Sequence, residues 1–182
     1  MGFFDLFKKK NTEPTYDVTN LSVKDLNKGF IIDYDLKSWE VTEVYQYDWG
    51  NGNISKEYKL DSGDDTVYLH VTRGVELELT ITRSIKIRKL DEDIIDKTVE
   101  MEHPPKKLTY EGIKYYMHTD SAGYFNDITG GGDEWEELIE WSYYDDEEEH
   151  ILSISQWGER DFSASVGKII KEFEISNIIP GN

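Results

Sequence analysis

The chain predicts an all-β protein: two related antiparallel units, packed as small barrels or as one sandwich, with little helix. Three observations carry this. Glu76-Leu77-Glu78-Leu79-Thr80-Ile81-Thr82 alternates apolar and polar residues without a break, as in a strand with one wet face. Helical periodicity is missing from both halves of the chain. The two halves also resemble each other at a spacing of 83 residues. Glu57-Tyr58-Lys59-Leu60 falls on Glu140-Trp141-Ser142-Tyr143, and Tyr68-Leu69-His70-Val71 on Ile151-Leu152-Ser153-Ile154. The same offset sets Gly29-Phe30-Ile31 on Gly112-Ile113-Lys114. A long internal period points to units that each cover the other's half-buried face.

Residues 1–20 read as an amphipathic scrap followed by a polar linker with Pro14. Phe3, Phe4, Leu6 and Phe7 precede Lys8, Lys9 and Lys10, a spacing that suits one or two helical turns. Phe3, Phe4 and Phe7 are candidates for docking a partner, or for peripheral membrane contact with lysines on headgroups. Against the membrane stand the segment's shortness and the acidity of the rest of the chain.

The first β unit spans 21–88. Leu21 to Gly29 reads as a turn, and strands follow at 29–36, 39–47, 54–60, 66–72, 76–82 and 84–88. Asp48-Trp49-Gly50-Asn51-Gly52-Asn53 and Asp61-Ser62-Gly63-Asp64-Asp65 between them are turn signals. A connector at 89–107 carries a short helix at 91–100 and Pro104-Pro105, which a central strand cannot hold. The second unit, 108–182, reads as strands at 113–118, 122–128, 134–143, 150–155, 159–166 and 169–175.

Composition narrows the function. The chain has 182 residues with 7 Phe, 12 Tyr and 5 Trp, too many aromatics for a disordered protein. Lys and Arg number 20 against 38 acids, so the net charge of −18 repels phosphate backbones and argues against nucleic acid. That charge serves solubility, and it also suits a cationic partner such as a polyamine, a metal ion or a basic protein face. Cysteine is absent, which fits a reducing cytoplasm. No apolar run reaches bilayer-spanning length, and the amino terminus lacks the order of a secretory signal.

The acidic turns are the candidate ligand sites. Asp61, Asp64 and Asp65 crowd one predicted tip, and Asp145, Asp146 and Glu147 head a second at the corresponding place in the other unit. Together they would form a cation-attracting rim, although solvated turns are the simpler account. The EF-hand spacing fails, because Thr66 and Thr72 stand at its sixth and twelfth places. His70, His103, His118 and His150 share no metal-ligand spacing, so no metal site is expected. Gly130-Gly131-Gly132 runs into Asp133-Glu134, which would repel phosphate. No nucleophile–base motif emerges, and no cofactor is expected.

Trp39-Glu40-Val41, Lys56-Glu57-Tyr58-Lys59-Leu60, Trp141-Ser142-Tyr143 and Gln156-Trp157-Gly158-Glu159-Arg160, with the doubling, resemble a bacterial family, domain of unknown function 4178. The resemblance covers roughly 21–179. It departs from the pattern at Tyr58, where the second unit has Trp141. It implies a bacterial protein without an assigned activity, in an accessory role beside polyamine-synthesis enzymes and small membrane proteins. Two functions are considered, and the first is the one expected because no nucleophile–base pair, cofactor loop or metal set emerges. One is a non-enzymatic adaptor that docks a protein partner through a sheet edge, an acidic rim or residues 1–10. The other is a ligand binder or enzyme with an acidic pocket between the repeats for a polyamine or divalent cation. Fold alone does not choose between them.

Overall fold

A computed structural model describes residues 20–74, 76–132 and 134–181. Its architecture is one antiparallel sheet of eleven strands. Strands β1 (Ile31–Tyr34) and β2 (Lys37–Asp48) form a hairpin whose tip residues, Asp35 and Leu36, both take left-handed φ (49° and 62°). This is the two-residue turn that matches strand twist. The meander continues through β3 (Ile54–Asp61), β4 (Thr66–Arg73) and β5 (Leu77–Ile85). A 3-10 turn at Ile87–Lys89 and the helix α1 (Ile94–Met101) follow.

The second half repeats this order of elements. Strands β6 (Lys107–Tyr110) and β7 (Ile113–Asp127) form a hairpin with Glu111 and Gly112 at left-handed φ. After it come β8 (Glu136–Tyr144), β9 (His150–Gln156), β10 (Phe162–Ile170) and a 3-10 turn at Glu172–Glu174. The final strand, β11 (Ser176–Ile179), returns to pair with β1.

At the 83-residue offset, buried positions coincide in the middle of each half. There Tyr58 and Trp141, Leu60 and Tyr143, Leu69 and Leu152, and Val71 and Ile154 are all buried. At the first hairpin the structural counterpart of Gly112 is Leu36, so the expected match of Gly29 with Gly112 fails. Several strand boundaries also differ. The predicted strands 76–82 and 84–88 are one strand that ends at Ile85, and 113–118 and 122–128 run together as β7. An unexpected strand, β6, begins at the last residue of the connector and opens the second unit. The expected strand 169–175 is the end of β10 followed by the 3-10 turn, which exposes Phe173 and buries Ile175.

Eight strands close a ring in the order β2-β3-β4-β5-β10-β9-β8-β7. Closure comes where Tyr45–Asp48 of β2 pairs antiparallel with Tyr124–Asp127 of β7. Both closing strands carry an irregularity, between Val41 and Glu43 and between Met117 and Thr119. A bulge bends a strand. Before it, β2 pairs with β1 and β7 with β6; beyond it, the two strands pair with each other. The seam between halves is β5 against β10, from Leu79↔Ile170 to Ile85↔Ala164.

Apolar residues gather on one face of the sheet in two cores. The first joins Ile32, Trp39, Val41, Tyr58, Leu60 and Leu69 with their neighbours, and takes Ile170 and Ile175 from the end of the chain. The second joins Ile94 of α1 with Leu108, Tyr115, Trp141, Tyr143, Leu152 and Ile154. The Tyr143 hydroxyl donates to the Pro105 carbonyl at 3.0 Å, which ties the double-proline connector to this core. Among the described residues no helix is long and apolar enough to cross a membrane.

Candidate functional site

With the apolar side chains packed on one face, the alternate residues of the same strands face into the ring. An eight-stranded ring is just wide enough to be filled by side chains or to hold one small ligand. Here many of the inward residues are short and polar. Thr80 and Thr82 come from β5, Ser142 from β8, Ser153 and Ser155 from β9, and Ser165 from β10. They leave two adjoining compartments of about 340 and 100 Å3, which share Glu57, Thr82, Glu140, Ser153 and Ser165 as walls.

Four carboxylates line these compartments: Glu57 and Glu78 from the first half, Glu136 and Glu140 from the second. Against them stands His70 on β4, and no lysine or arginine lines either compartment. Glu57 is held at both oxygens. The Tyr47 hydroxyl donates to Oε1 at 3.1 Å, and His70 Nδ1 lies 3.5 Å from Oε2. Glu140 accepts from Ser142 Oγ at 3.3 Å and from Ser155 Oγ at 3.4 Å. Glu78 accepts from the Tyr144 hydroxyl at 3.3 Å. The carboxylates thus meet mostly neutral hydroxyls, and their charge is left largely uncompensated.

Burial raises the Glu140 carboxyl above its ordinary value; His70 opposes this and Glu57 adds to it. At His70 burial works against the charged ring, but Glu57, with Glu140 and Glu78 behind it, more than offsets that and raises its pKa. Burial, then Glu57 and Glu140, holds the Tyr47 hydroxyl well above the ordinary tyrosine value, so it stays a donor.

Aromatic rings wall one side. Tyr47 stacks on Trp49 at 5.4 Å and meets Phe125 edge-on at 5.3 Å, and Phe125 meets Trp157 edge-on at 5.2 Å. The indole nitrogens are fixed, Trp49 Nε1 donating to Ser55 Oγ at 2.9 Å and Trp157 Nε1 to Ser163 Oγ at 2.8 Å.

A family model described as a domain of unknown function (DUF4178) matches residues 27–172, the span that holds every strand of the ring. The chain belongs to the DUF4178 family. An uncharacterized protein of Aquifex aeolicus (strain VF5) is 26% identical over 185 residues, covering 99% of each chain. No solved structure matches. The DUF4178 match thus encloses the ring and all four carboxylates that line its compartments.

The acidic residues singled out from the sequence lie elsewhere. Five antiparallel steps separate β3 from β8, so the two strands run in opposite directions and their tips leave opposite ends of the ring. Asp61, Asp64 and Asp65 therefore do not converge with Asp145, Asp146 and Glu147. Four of the six have local work. Asp61 accepts from Gly63 N at 2.6 Å, Asp64 binds Lys37 Nζ at 3.0 Å, and Asp65 pairs with Arg83. Asp145 accepts from the backbone of Glu149 and His150 and from the His150 ring, while Asp146 and Glu147 are exposed. Phe3, Phe4 and Phe7 fall outside the described residues. Among the described residues no group of three or more His, Asp or Glu could hold a metal ion.

The residues missed from sequence are the inward ones. Their signal was present: Thr80-x-Thr82, Ser153-x-Ser155 and Ser163-x-Ser165 put short hydroxyls where an outer face more often carries lysine and glutamate.

Proposed function

We propose that the chain is a binding module whose ring takes one small organic cation, a slender protonated amine. One observation carries this: four carboxylates line the two compartments, of which Glu78 and Glu136 are also exposed, with one imidazole and no lysine or arginine among the hydroxyl-bearing walls. Two protonated nitrogens of a diamine or polyamine would satisfy carboxylates contributed by both halves. Ser and Thr hydroxyls can accept the remaining N–H groups, and the Tyr47 and Phe125 faces suit a cation by their ring quadrupoles. The two meanders read, in the same spirit, as descendants of one duplicated strand unit that meet around a shared ligand.

The test is the thermal midpoint with and without putrescine or spermidine, at pH 5.5 and 8, at matched ionic strength. A ligand of the folded state raises stability. The pH adds a sign. Glu140 binds its proton more readily in the folded chain, so its contribution favours low pH and is lost as pH rises from about 4.5 through its raised value. His70, also raised, contributes fully below about 6.5 and loses that contribution as pH climbs through its folded value. An amine that draws Glu140 into its ionised form should therefore give a larger upward shift at pH 8. Glu57→Gln and Glu140→Gln should each remove about 1.5–3 kcal/mol of binding, at least tenfold in affinity. Equal shifts in the variants, or equal shifts from sodium chloride, would reduce the effect to screening of the net charge.

An adaptor reading has one observation in its favour. β11 and β6 end the sheet, so each offers an outer edge to an added strand.

A further inference from the structure

A second cavity, of about 610 Å3, opens beside the line where the ring closes. Trp49, Tyr124, Leu138, Ile139 and Trp157 line it, and Asp48 and Glu137 stand among them. It is the most apolar exposed region near the ring: Tyr124 and Ile139 are 47% and 41% exposed, with Ile128 and Trp135 exposed on the adjoining β7–β8 connection. Exposed apolar side chains gathered at one place mark a docking surface. Acids surround the connection's end, since Glu134 and Glu136 flank Trp135.

One segment of this chain has the complementary chemistry. Phe3, Phe4, Leu6 and Phe7 are followed by Lys8, Lys9 and Lys10, and three consecutive lysines occur nowhere else in the sequence. The nine residues 11–19 join this segment to Asn20, where the described body begins. Fully extended they reach about 30 Å, roughly the diameter of a small domain. We infer that residues 1–10 dock on their own chain in this cavity, with the phenylalanines against Trp49, Tyr124, Ile139 and Trp157 and the lysines toward Asp48 and Glu137. The inference stands apart from the amine reading; Trp157 is a wall common to this cavity and the ring interior.

The full chain, which has no cysteine, permits a direct test. Asn11→Cys carries a nitroxide label, and amide signals are read by NMR in the 15N-labelled chain. Broadening at Gly123, Tyr124 and Ile139, abolished by Phe7→Asp and by Ile139→Asp, is the expected result. Ile139 is exposed, so its variant keeps the fold, as an otherwise unchanged spectrum will show. No broadening there, or broadening that survives both variants, would overturn the inference. So would equal broadening in a mixture of nitroxide-labelled 14N chain with unlabelled 15N chain, because the occupant would then be a second copy.

Discussion

Replacing Gly167 with alanine should cost the fold about 3 kcal/mol or more, the upper end of what overpacking produces. Gly167 sits opposite Thr82 on the β5–β10 seam. A Cβ there would lie 1.8 Å from the Ile81 carbonyl oxygen and 2.6 Å from Thr82 Cα. Both obstacles are backbone, and neither moves without breaking the ladder that joins the halves. At about 2–4 °C per kcal/mol for a chain of this size, the melting midpoint should fall by roughly 6–12 °C. Gly158→Ala is the control. Its Cβ would meet only the Asp161 side chain at 3.7 Å, an ordinary contact, and the midpoint should barely change. If Gly167→Ala were as mild, the two strands would not approach as closely as the seam requires.

Trp141→Ala should be as damaging, at about 3–5 kcal/mol, the range for removing a large buried aromatic. Trp141 is 3% exposed in the second core, between Tyr115, Leu152 and Ile154 of the same cluster. The loss should fall on the whole molecule, because that core shares its sheet with the first across β5 and β10. Urea unfolding should remain one transition at a lower midpoint. Two separated transitions would show that the halves unfold independently, and that the seam couples them weakly.

The β class was legible because alternation in β3, β4, β8 and β9 needs only local spacing. Tyr58, Leu60, Leu69 and Val71, with their counterparts 83 residues on, are all core. Hairpin ends were harder. Leu36 in a left-handed tip carries no glycine to announce it, and β6 hides behind two prolines. The 169–175 alternation was misleading because Phe173 and Ile175 sit across a 3-10 turn, where spacing of two no longer means one face.

The candidate site was illegible for a different reason. A period of two says that one face of a strand is wet, but not whether the water lies outside the protein or inside a ring. That depends on the pairing of Tyr45–Asp48 with Tyr124–Asp127, a contact across some 80 residues for which no local pattern exists. Spacing marks Glu57, His70 and Glu140 only as members of a wet strand face, while the tips at 61–65 and 145–149 stand out by their density of charge. Charge density is visible in a sequence; the direction in which a hairpin tip points is set by counting antiparallel steps around the whole sheet.

Ring closure is the premise of the cavity, and a chain without cysteine lets it be tested by one cross-link. Gln46 and Asn126 are direct partners across β2 and β7, at a separation a disulfide can span. The double variant Gln46→Cys/Asn126→Cys should oxidise rapidly to an intramolecular disulfide in dilute solution, with the native fold retained. A product that is only intermolecular, or thiols that stay free under oxidant, would mean that the two strands do not meet and that the sheet is open.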